Sequence, residues 1–228
     1  MRMRTKVGTA TVGMLAGMLL AASAGSGQDL ADFDYENLSF RGFGAEWGYI
    51  WPDRVEPTQS FGARMDLGYL GPGLRIVPSV HYWSSRFKAS EVRELEDRVQ
   101  SLIVSQIDVP APTVDLGVID WSDLELAVDA QVVWRIPYGV LSFMGLGAGA
   151  HMLNGAGPAI DGTFIEDLLD SVSAGFNVHG GLEVPVVDRF RLHGQARYEM
   201  LGDLRYTQVR LGGQFMIGAP APGEERRR

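Results

Sequence analysis

The chain of 228 residues contains no cysteine. This excludes a disulfide framework and thiol catalysis, and it removes thiolate metal sites. The chain also has no excess of basic charge, because 20 Lys and Arg stand against 28 Asp and Glu, for a formal net charge of −8. Without a basic cluster, binding to nucleic acid is not expected.

Long apolar runs are also absent after the first 24 residues, where no segment offers the roughly twenty apolar residues that a membrane-spanning helix needs. The nearest stretch, 139–153, carries Gly145, Gly147 and Gly149 at a spacing of two, which favours a strand over a helix. A chain of this kind spans a membrane only as a closed sheet, since lipid leaves no partners for free backbone groups.

Residues 1–24 are predicted to be a secretory signal peptide. Three cations within the first six residues precede an apolar stretch that ends in Ala22, Ser23 and Ala24, which fits the charged, apolar and small-residue regions of such a leader. Cleavage is placed after Ala24, and an uncleaved anchor helix is the alternative. Loss of the leader's three cations changes the formal net charge from −8 to −11.

An alternation of apolar and polar residues, with a period of two, recurs about eight times in the rest of the chain. In the run 59–70, Phe61 and Met65 fall on one face, and Arg64 and Asp66 fall on the other. Side chains alternate across a strand, so this pattern predicts a sheet with one apolar and one polar face. The predicted strands are 40–51, 59–70, 74–87, 121–136, 140–152, 173–184, 189–200 and 205–217. Apolar residues at spacings of three and four predict a helix over about 90–107, and a short helical turn is expected within 163–171.

The register of the fifth predicted strand, 140–152, stays open. Leu141 and Phe143 share a face with Gly145, Gly147 and Gly149, so a shift near Ser142 is one interpretation.

The polar face is expected to line the barrel interior. It carries most of the strand glycines, which suit a narrow lumen, and its balanced charges need buried partners. The expected interior network comprises Glu46, Arg64, Asp66, Arg75, Glu125, Asp129, Arg135, Glu183, Arg191, Arg197, Glu199 and Arg210. His81, His151, His179 and His193 share this face; hydrogen bonding beside carboxylates is their expected role, and a metal or proton site in the lumen is the alternative.

The apolar face is expected to contact lipid, because its large aromatic side chains gather near the strand ends, as in an interfacial girdle. The expected girdle comprises Trp47, Tyr49, Trp51, Tyr69, Tyr82, Trp134, Tyr198 and Phe215. Short turns alternate with longer loops, which is the usual asymmetry of outer-membrane barrels.

These features resemble the small outer-membrane β-barrel superfamily, which includes OmpA-like and OmpW-like barrels. The resemblance rests on the leader, the alternating runs, the loop asymmetry and the final strand Tyr-Thr-Gln-Val-Arg-Leu-Gly-Gly-Gln-Phe at 206–215. It implies an all-β, eight-stranded, antiparallel up-and-down transmembrane β-barrel with short helices in extracellular loops. The division is then a signal peptide (1–24), a periplasmic segment (25–38), an outer-membrane barrel domain (39–217) and a disordered periplasmic tail (218–228). Members commonly end on a strand-terminal aromatic, whereas here Met216, Ile217 and the tail follow Phe215.

The predicted function is a non-catalytic, structural or surface-interaction role in the cell envelope, with the lumen plugged by the charged network. No cofactor or metal is expected. The expected partners of this monomer are outer-membrane lipid and a surface partner reached through loops 88–120 and 153–172. The alternatives are a porin-like barrel that binds or passes a small apolar solute, a soluble lipocalin-like periplasmic carrier, and a lipid-modifying enzyme. For the enzyme, Ser79 and His81 offer a nucleophile and a base, but both are expected to face the lumen rather than lipid.

Overall fold

A computed structural model of the protein describes residues 38–71, 73–106, 114–202 and 204–217. The predicted signal peptide, the predicted segment 25–38 apart from its last residue, and the predicted tail 218–228 lie outside the described residues.

The described residues form one antiparallel barrel. Its strands are β1 (Gly42–Pro52), β2 (Thr58–Asp66), β3 (Tyr69–Gly71), β4 (Leu74–Arg86), β5 (Asp120–Arg135), β6 (Leu141–Ala156), β7 (Ser171–Val187), β8 (Phe190–Leu201) and β9 (Arg205–Met216). They are hydrogen-bonded in the order β2-β1-β9-β8-β7-β6-β5-β4-β3, and pairing of β2 with β4 closes the sheet. Because β2 and β3 are two segments of one wall strand, the architecture is the predicted eight-stranded up-and-down barrel.

The break between β2 and β3 corrects one prediction. Gly68 adopts φ +75, a left-handed conformation that interrupts the alternation of the strand. As a result Asp66 and Tyr69 both point inward, and Leu70 points outward. Tyr69 is 5% exposed, so its assignment to the aromatic girdle was wrong.

Strand β6 keeps one register along its whole length. Its residues pair consecutively with β5 from Leu141 to Ala156. Leu141 and Phe143 are buried in the lumen on the same face as the glycines that follow them. The shift considered near Ser142 is therefore absent from this strand.

The two ends of the barrel differ in their connections. One end, termed here the turn end, holds the connections 72–73, 136–140 and 188–189, of which 136–140 contains the 3-10 turn Pro137–Gly139. The other, termed the loop end, holds 53–57, 87–119, 157–170 and 202–204. Both described termini lie at the turn end, since Gly42 pairs with Met216 there.

Two helices lie in the long connections, as the sequence predicts. They are α1 (Ala89–Gln106) and α2 (Phe164–Leu169). The Thr163 hydroxyl caps α2 by accepting a hydrogen bond from the Ile165 amide at 3.3 Å, which satisfies one free donor of the first turn. No helix within the described ranges is long and apolar enough to cross a membrane.

The barrel wall separates two chemistries. Outward side chains such as Phe61 and Leu126 are 58% and 49% exposed. Inward side chains of the same strands, such as Arg64 and Glu125, are 2% and 1% exposed. An apolar exterior around a buried ionic interior is the arrangement expected of a barrel that sits in lipid.

Candidate functional site in the lumen

The lumen side chains form three layers along the barrel axis. The turn-end layer is a small apolar cluster of Tyr69, Val133, Leu141 and Phe143. The middle layer holds charged, amide and histidine side chains. The loop-end layer, termed here the aromatic cap, comprises Ile50, Val55, Trp83, Trp121, Leu153, Leu201, Leu204 and Tyr206.

In the turn-end half of the middle layer, Glu183 accepts hydrogen bonds from two arginines, Arg75 and Arg64. Arg75 donates from Nη2 to Glu183 Oε1 at 2.6 Å and from Nη1 to Oε2 at 2.9 Å. Arg64 donates to Glu183 Oε1 at 3.2 Å, and its Nη1 lies 3.6 Å from Glu46 Oε1. A bidentate arginine–carboxylate pair is among the stronger polar contacts of a protein, because both groups are ionised and planar.

In the loop-end half, Arg197 joins carboxylates from two strands. It donates to Glu125 Oε1 at 2.5 Å, to Asp129 Oδ2 at 2.8 Å and to Glu199 Oε2 at 2.7 Å. Arg210 donates to the second oxygen of Glu125 at 2.8 Å. The two guanidinium groups thus hold Glu125 from both sides.

The four histidines all lie in the lumen, and two of them are fixed as neutral tautomers by their donors. Arg210 donates to His81 Nδ1 at 3.0 Å, so His81 Nε2 carries the proton and lies 2.6 Å from Glu46 Oε2. Gln131 donates to His179 Nε2 at 3.1 Å, so His179 Nδ1 carries the proton. His179 Nδ1 lies 2.7 Å from the Asn177 amide oxygen.

The other two histidines contact carboxylates. His193 Nε2 lies 2.6 Å from Glu46 Oε1, so Glu46 is bracketed by His81 and His193. His151 Nδ1 lies 2.8 Å from Asp123 Oδ2, and Trp83 of the aromatic cap donates to the same oxygen at 3.2 Å.

The structure places most of the expected network in one buried cluster. The members that are at most 5% exposed are Glu46, Arg64, Asp66, Arg75, Glu125, Asp129, Glu183, Arg197, Glu199 and Arg210. Arg191 and Arg135 lie half-buried towards the turn end, and Arg191 reaches Glu183 at 3.8 Å. The amides of Gln131, Asn177 and Gln208, which the expected network omitted, form hydrogen bonds with Arg75, Asp129 and Arg210 respectively.

The aromatic cap was not anticipated from the sequence. Ile50, Trp83 and Trp121 lie two residues from Gly48, His81 and Asp123 on the inward face. Their positions in the two-residue alternation therefore predict that they point inward. The sequence analysis does not identify them because, outside the run 140–152, it assigns apolar side chains to the outer face.

The expected girdle residues differ in position. Trp47, Trp51, Tyr82, Tyr198 and Phe215 point outward and are 39–50% exposed, whereas Tyr49 and Trp134 are half-buried. Trp47 lies at the middle of β1, opposite Phe61 and Leu211, rather than at a strand end.

Above the aromatic cap, the long loops share a second apolar core. The loop platform is defined here as residues 87–106, 114–119 and 157–170. Its buried members are Val92, Val99, Leu116, Ile119, Ile160 and Ile165, and Phe87 packs against both this core and the aromatic cap. The Leu116 amide donates to Glu96 of α1 at 2.9 Å. On the exposed face of α1, a hydrogen bond from Arg98 lowers the pKa of Glu94.

The closed sheet, the apolar exterior and the ionic lumen define a transmembrane β-barrel fold. No family model and no curated protein matches the chain. Solved structures with similar folds include the Neisserial surface protein A (15% identity, TM-score 0.48, 78% of this chain and 97% of that chain). They also include OprG of Pseudomonas aeruginosa (8%, 0.48, 80% and 98%) and Ail, the attachment invasion locus protein of Yersinia pestis (15%, 0.46, 80% and 100%).

The fold of this chain is that of the small eight-stranded outer-membrane barrels, as the sequence resemblance predicts. The strand order and the closing β2–β4 pairing of this chain carry that assignment.

Proposed function

We propose that this protein is a non-catalytic outer-membrane barrel that holds the loop platform at the cell surface. The single observation that carries the proposal is the filled lumen, where ion pairs cross the middle layer and apolar clusters occupy both ends. A filled barrel has no route for solutes, so its remaining surfaces are the lipid-facing wall and the platform.

The packing of the lumen supports the absence of a ligand chamber. The gap among the side chains of Glu46, Arg64, Ser79, Gln195 and their neighbours has no room for a water molecule. Pockets for small molecules are usually about 300–1,000 Å³ and mostly apolar. A charged space of this size favours a plugged lumen over the passage or binding of an apolar solute.

The surroundings of the available histidines support a non-catalytic role. A serine nucleophile needs a base within hydrogen-bonding distance. Both ring nitrogens of His81 are already engaged, by Arg210 and Glu46, and Ser79 Oγ has no hydrogen-bond partner among the described residues.

The second core supports an interaction role for the loops. A platform with buried Val92, Val99 and Ile165 holds a defined shape, and a preorganised surface loses less entropy on binding than free loops do. The proposed partners of this monomeric barrel are outer-membrane lipid and a surface partner that contacts the platform, within the loops 88–120 and 153–172.

Recording in planar bilayers tests the plugged lumen. The full chain, refolded in detergent and added at high protein-to-lipid ratio, is expected to give a flat current, with a general porin as the positive control. Discrete conductance steps would overturn the plug and favour solute passage.

Cell fractionation tests the location. The protein is expected to require detergent for extraction and to shift its electrophoretic mobility on boiling. Trypsin added to intact cells is expected to cut within α1, which offers Arg93 and Arg98. Recovery in the soluble periplasmic fraction would favour the lipocalin-like carrier instead.

A further inference from the structure

A histidine and two glutamates converge beneath the aromatic cap. Glu125, His151 and Glu199 are each at most 1% exposed. Each offers a ligand atom within 4.8 Å of the other two. The three side chains come from β5, β6 and β8, so the cluster exists only once the strands β5 to β8 have assembled in the sheet.

Two atoms of this cluster lack hydrogen-bond partners among the described residues, namely His151 Nε2 and Glu199 Oε1. They face each other at 3.6 Å, which is too long for a hydrogen bond. Two ligands that share one tetrahedral metal ion, at bond lengths of roughly 2.1 Å, lie about 3.4 Å apart. The separation therefore suits a shared cation better than a direct contact.

The orientation of His151 is that of a metal ligand. Its Nδ1 lies 2.8 Å from the Asp123 carboxylate, which accepts the Nδ1 proton, so Nε2, which faces Glu199 Oε1, is the nitrogen left to bind a metal ion. Metal-bound histidines almost always donate their second ring N–H to such a carboxylate or carbonyl. Trp83 Nε1 holds Asp123 in turn.

A glycine on β7, the strand between β6 and β8, leaves room beside this pair. A Cβ atom at Gly175 would collide with His151 Nε2 and would lie 3.1 Å from Glu199 Oε1. Any side chain at position 175 would therefore enter the space between the two ligand atoms.

The charges around this cluster also favour a bound cation. Three buried carboxylates, Glu125, Asp129 and Glu199, share the guanidinium groups of Arg197 and Arg210 in this half of the lumen. The hydrogen-bond partners of a fourth, Asp123, are His151 and Trp83. Among these four carboxylates and two arginines, the excess is two negative charges while His151 is neutral and one when it is protonated. Buried charges need compensation, and the neutral tautomers of His81 and His179 supply none.

We propose that Glu125, His151 and Glu199 bind one divalent transition-metal ion of the Zn²⁺ class inside the lumen. Imidazole and carboxylate ligands suit zinc. Glu125 keeps its arginine contacts and binds through a remaining lone pair, since each carboxylate oxygen offers two. The ion ties β5, β6 and β8 together below the aromatic cap and is loaded before the barrel closes over it.

The test is refolding of the full chain from urea into detergent, in chelator-treated buffer with or without zinc chloride. Folded protein is identified by its heat-dependent mobility, washed with EDTA and analysed for metal by mass spectrometry. About one zinc per folded chain and a higher urea midpoint after refolding with zinc are expected. A folded protein that carries no zinc would overturn the proposal.

Variants distinguish the lumen site from binding at the acidic surface. His151→Gln and Glu199→Gln are expected to lose the bound zinc. His179→Gln is the matched control, because it removes another buried lumen histidine outside the cluster and is expected to keep the zinc. Zinc retained by folded His151→Gln would place the ion elsewhere and overturn the proposal.

Two further measurements keep the test independent of variant stability. Cobalt in place of zinc is expected to give visible absorption bands typical of a four-coordinate site, in the wild-type protein. Gly175→Ala is expected to exclude the ion by filling the space. If Gly175→Ala folds and still carries one zinc, the assigned position is wrong.

Discussion

Arg75 and Glu183 form a bidentate ion pair across the lumen, with both side chains fully buried. They belong to β4 and β7, which are not neighbours in the sheet. Gln131 accepts further hydrogen bonds from Arg75 Nη2 at 2.7 Å and Nε at 3.1 Å. The pair therefore fastens opposite walls of the barrel through a fixed set of donors.

Replacement of Arg75 by Gln is expected to destabilise the barrel strongly. It leaves Glu183 buried beside fewer cations, and loss of one partner of a buried ion pair costs about 3–5 kcal/mol. Urea unfolding of the refolded protein in lipid vesicles measures the change. The matched control is Arg86→Gln, whose exposed pair with Asp120 at 3.6 Å is expected to contribute about 0–1 kcal/mol. Equal urea midpoints for the two variants would contradict the importance of the buried pair.

Replacement of Gly181 by Ala is expected to strain the wall between β7 and β8. The added Cβ would collide with the Gly194 carbonyl and lie 2.6 Å from Phe143 Cζ and 2.9 Å from Gln195 Cα. Because two of these atoms belong to the backbone, relief requires movement of a strand, and overpacking of this kind costs about 1–3 kcal/mol. The temperature at which the folded protein loses its characteristic electrophoretic mobility measures this loss of stability. Gly71→Ala is the control, since its Cβ meets no described atom within 4 Å; equal losses would refute the close packing.

Spin labels are expected to report lipid at Leu126 and water at Leu102. Both side chains are about equally exposed, at 49% and 54%, but Leu126 lies on the outer wall and Leu102 on α1. Oxygen, which concentrates in lipid, should relax the label at 126, and a water-soluble nickel complex should relax the label at 102. A nickel response at 126 would show that the outer wall faces water.

Substitution of Val99 by Asp is expected to loosen the loop platform and leave the barrel intact. Val99 is 5% exposed in the platform core, and burial of an unpaired carboxylate there is unfavourable. Faster trypsin cleavage at Arg93 and Arg98 with an unchanged urea midpoint of the barrel is the expected result. Leu102→Asp, on the exposed face of the same helix, should match the wild type. A lowered barrel midpoint in Val99→Asp would mean that the platform and the wall unfold together.

The wall was largely predictable from the sequence, because alternation of side chains is a local property of each strand. The run 121–136 predicts β5 to within one residue at each end. Tyr69 was misplaced because a single glycine, Gly68, resets the alternation, and glycine in a strand does not reveal its own φ.

The pairing inside the lumen was less predictable, since it depends on which strands face one another across the barrel. Proximity in the sequence and in the predicted strands favours Asp66 or Glu46 as the partner of Arg64. The structure shows Glu46 and Glu183, and Glu183 lies 119 residues away. Whether a side chain points inward follows from its odd or even position in the strand. Its level along the barrel axis depends on the stagger of all the strands.

The cross-lumen ion pairs have a consequence for insertion into the membrane. Arg64 and Arg75 on β2 and β4 find Glu183 on β7, so a lone hairpin entering hydrocarbon would carry bare charge on its inner side. Hydrocarbon offers no substitute partners. We therefore expect the sheet to curl before it enters the membrane and the strands to insert together.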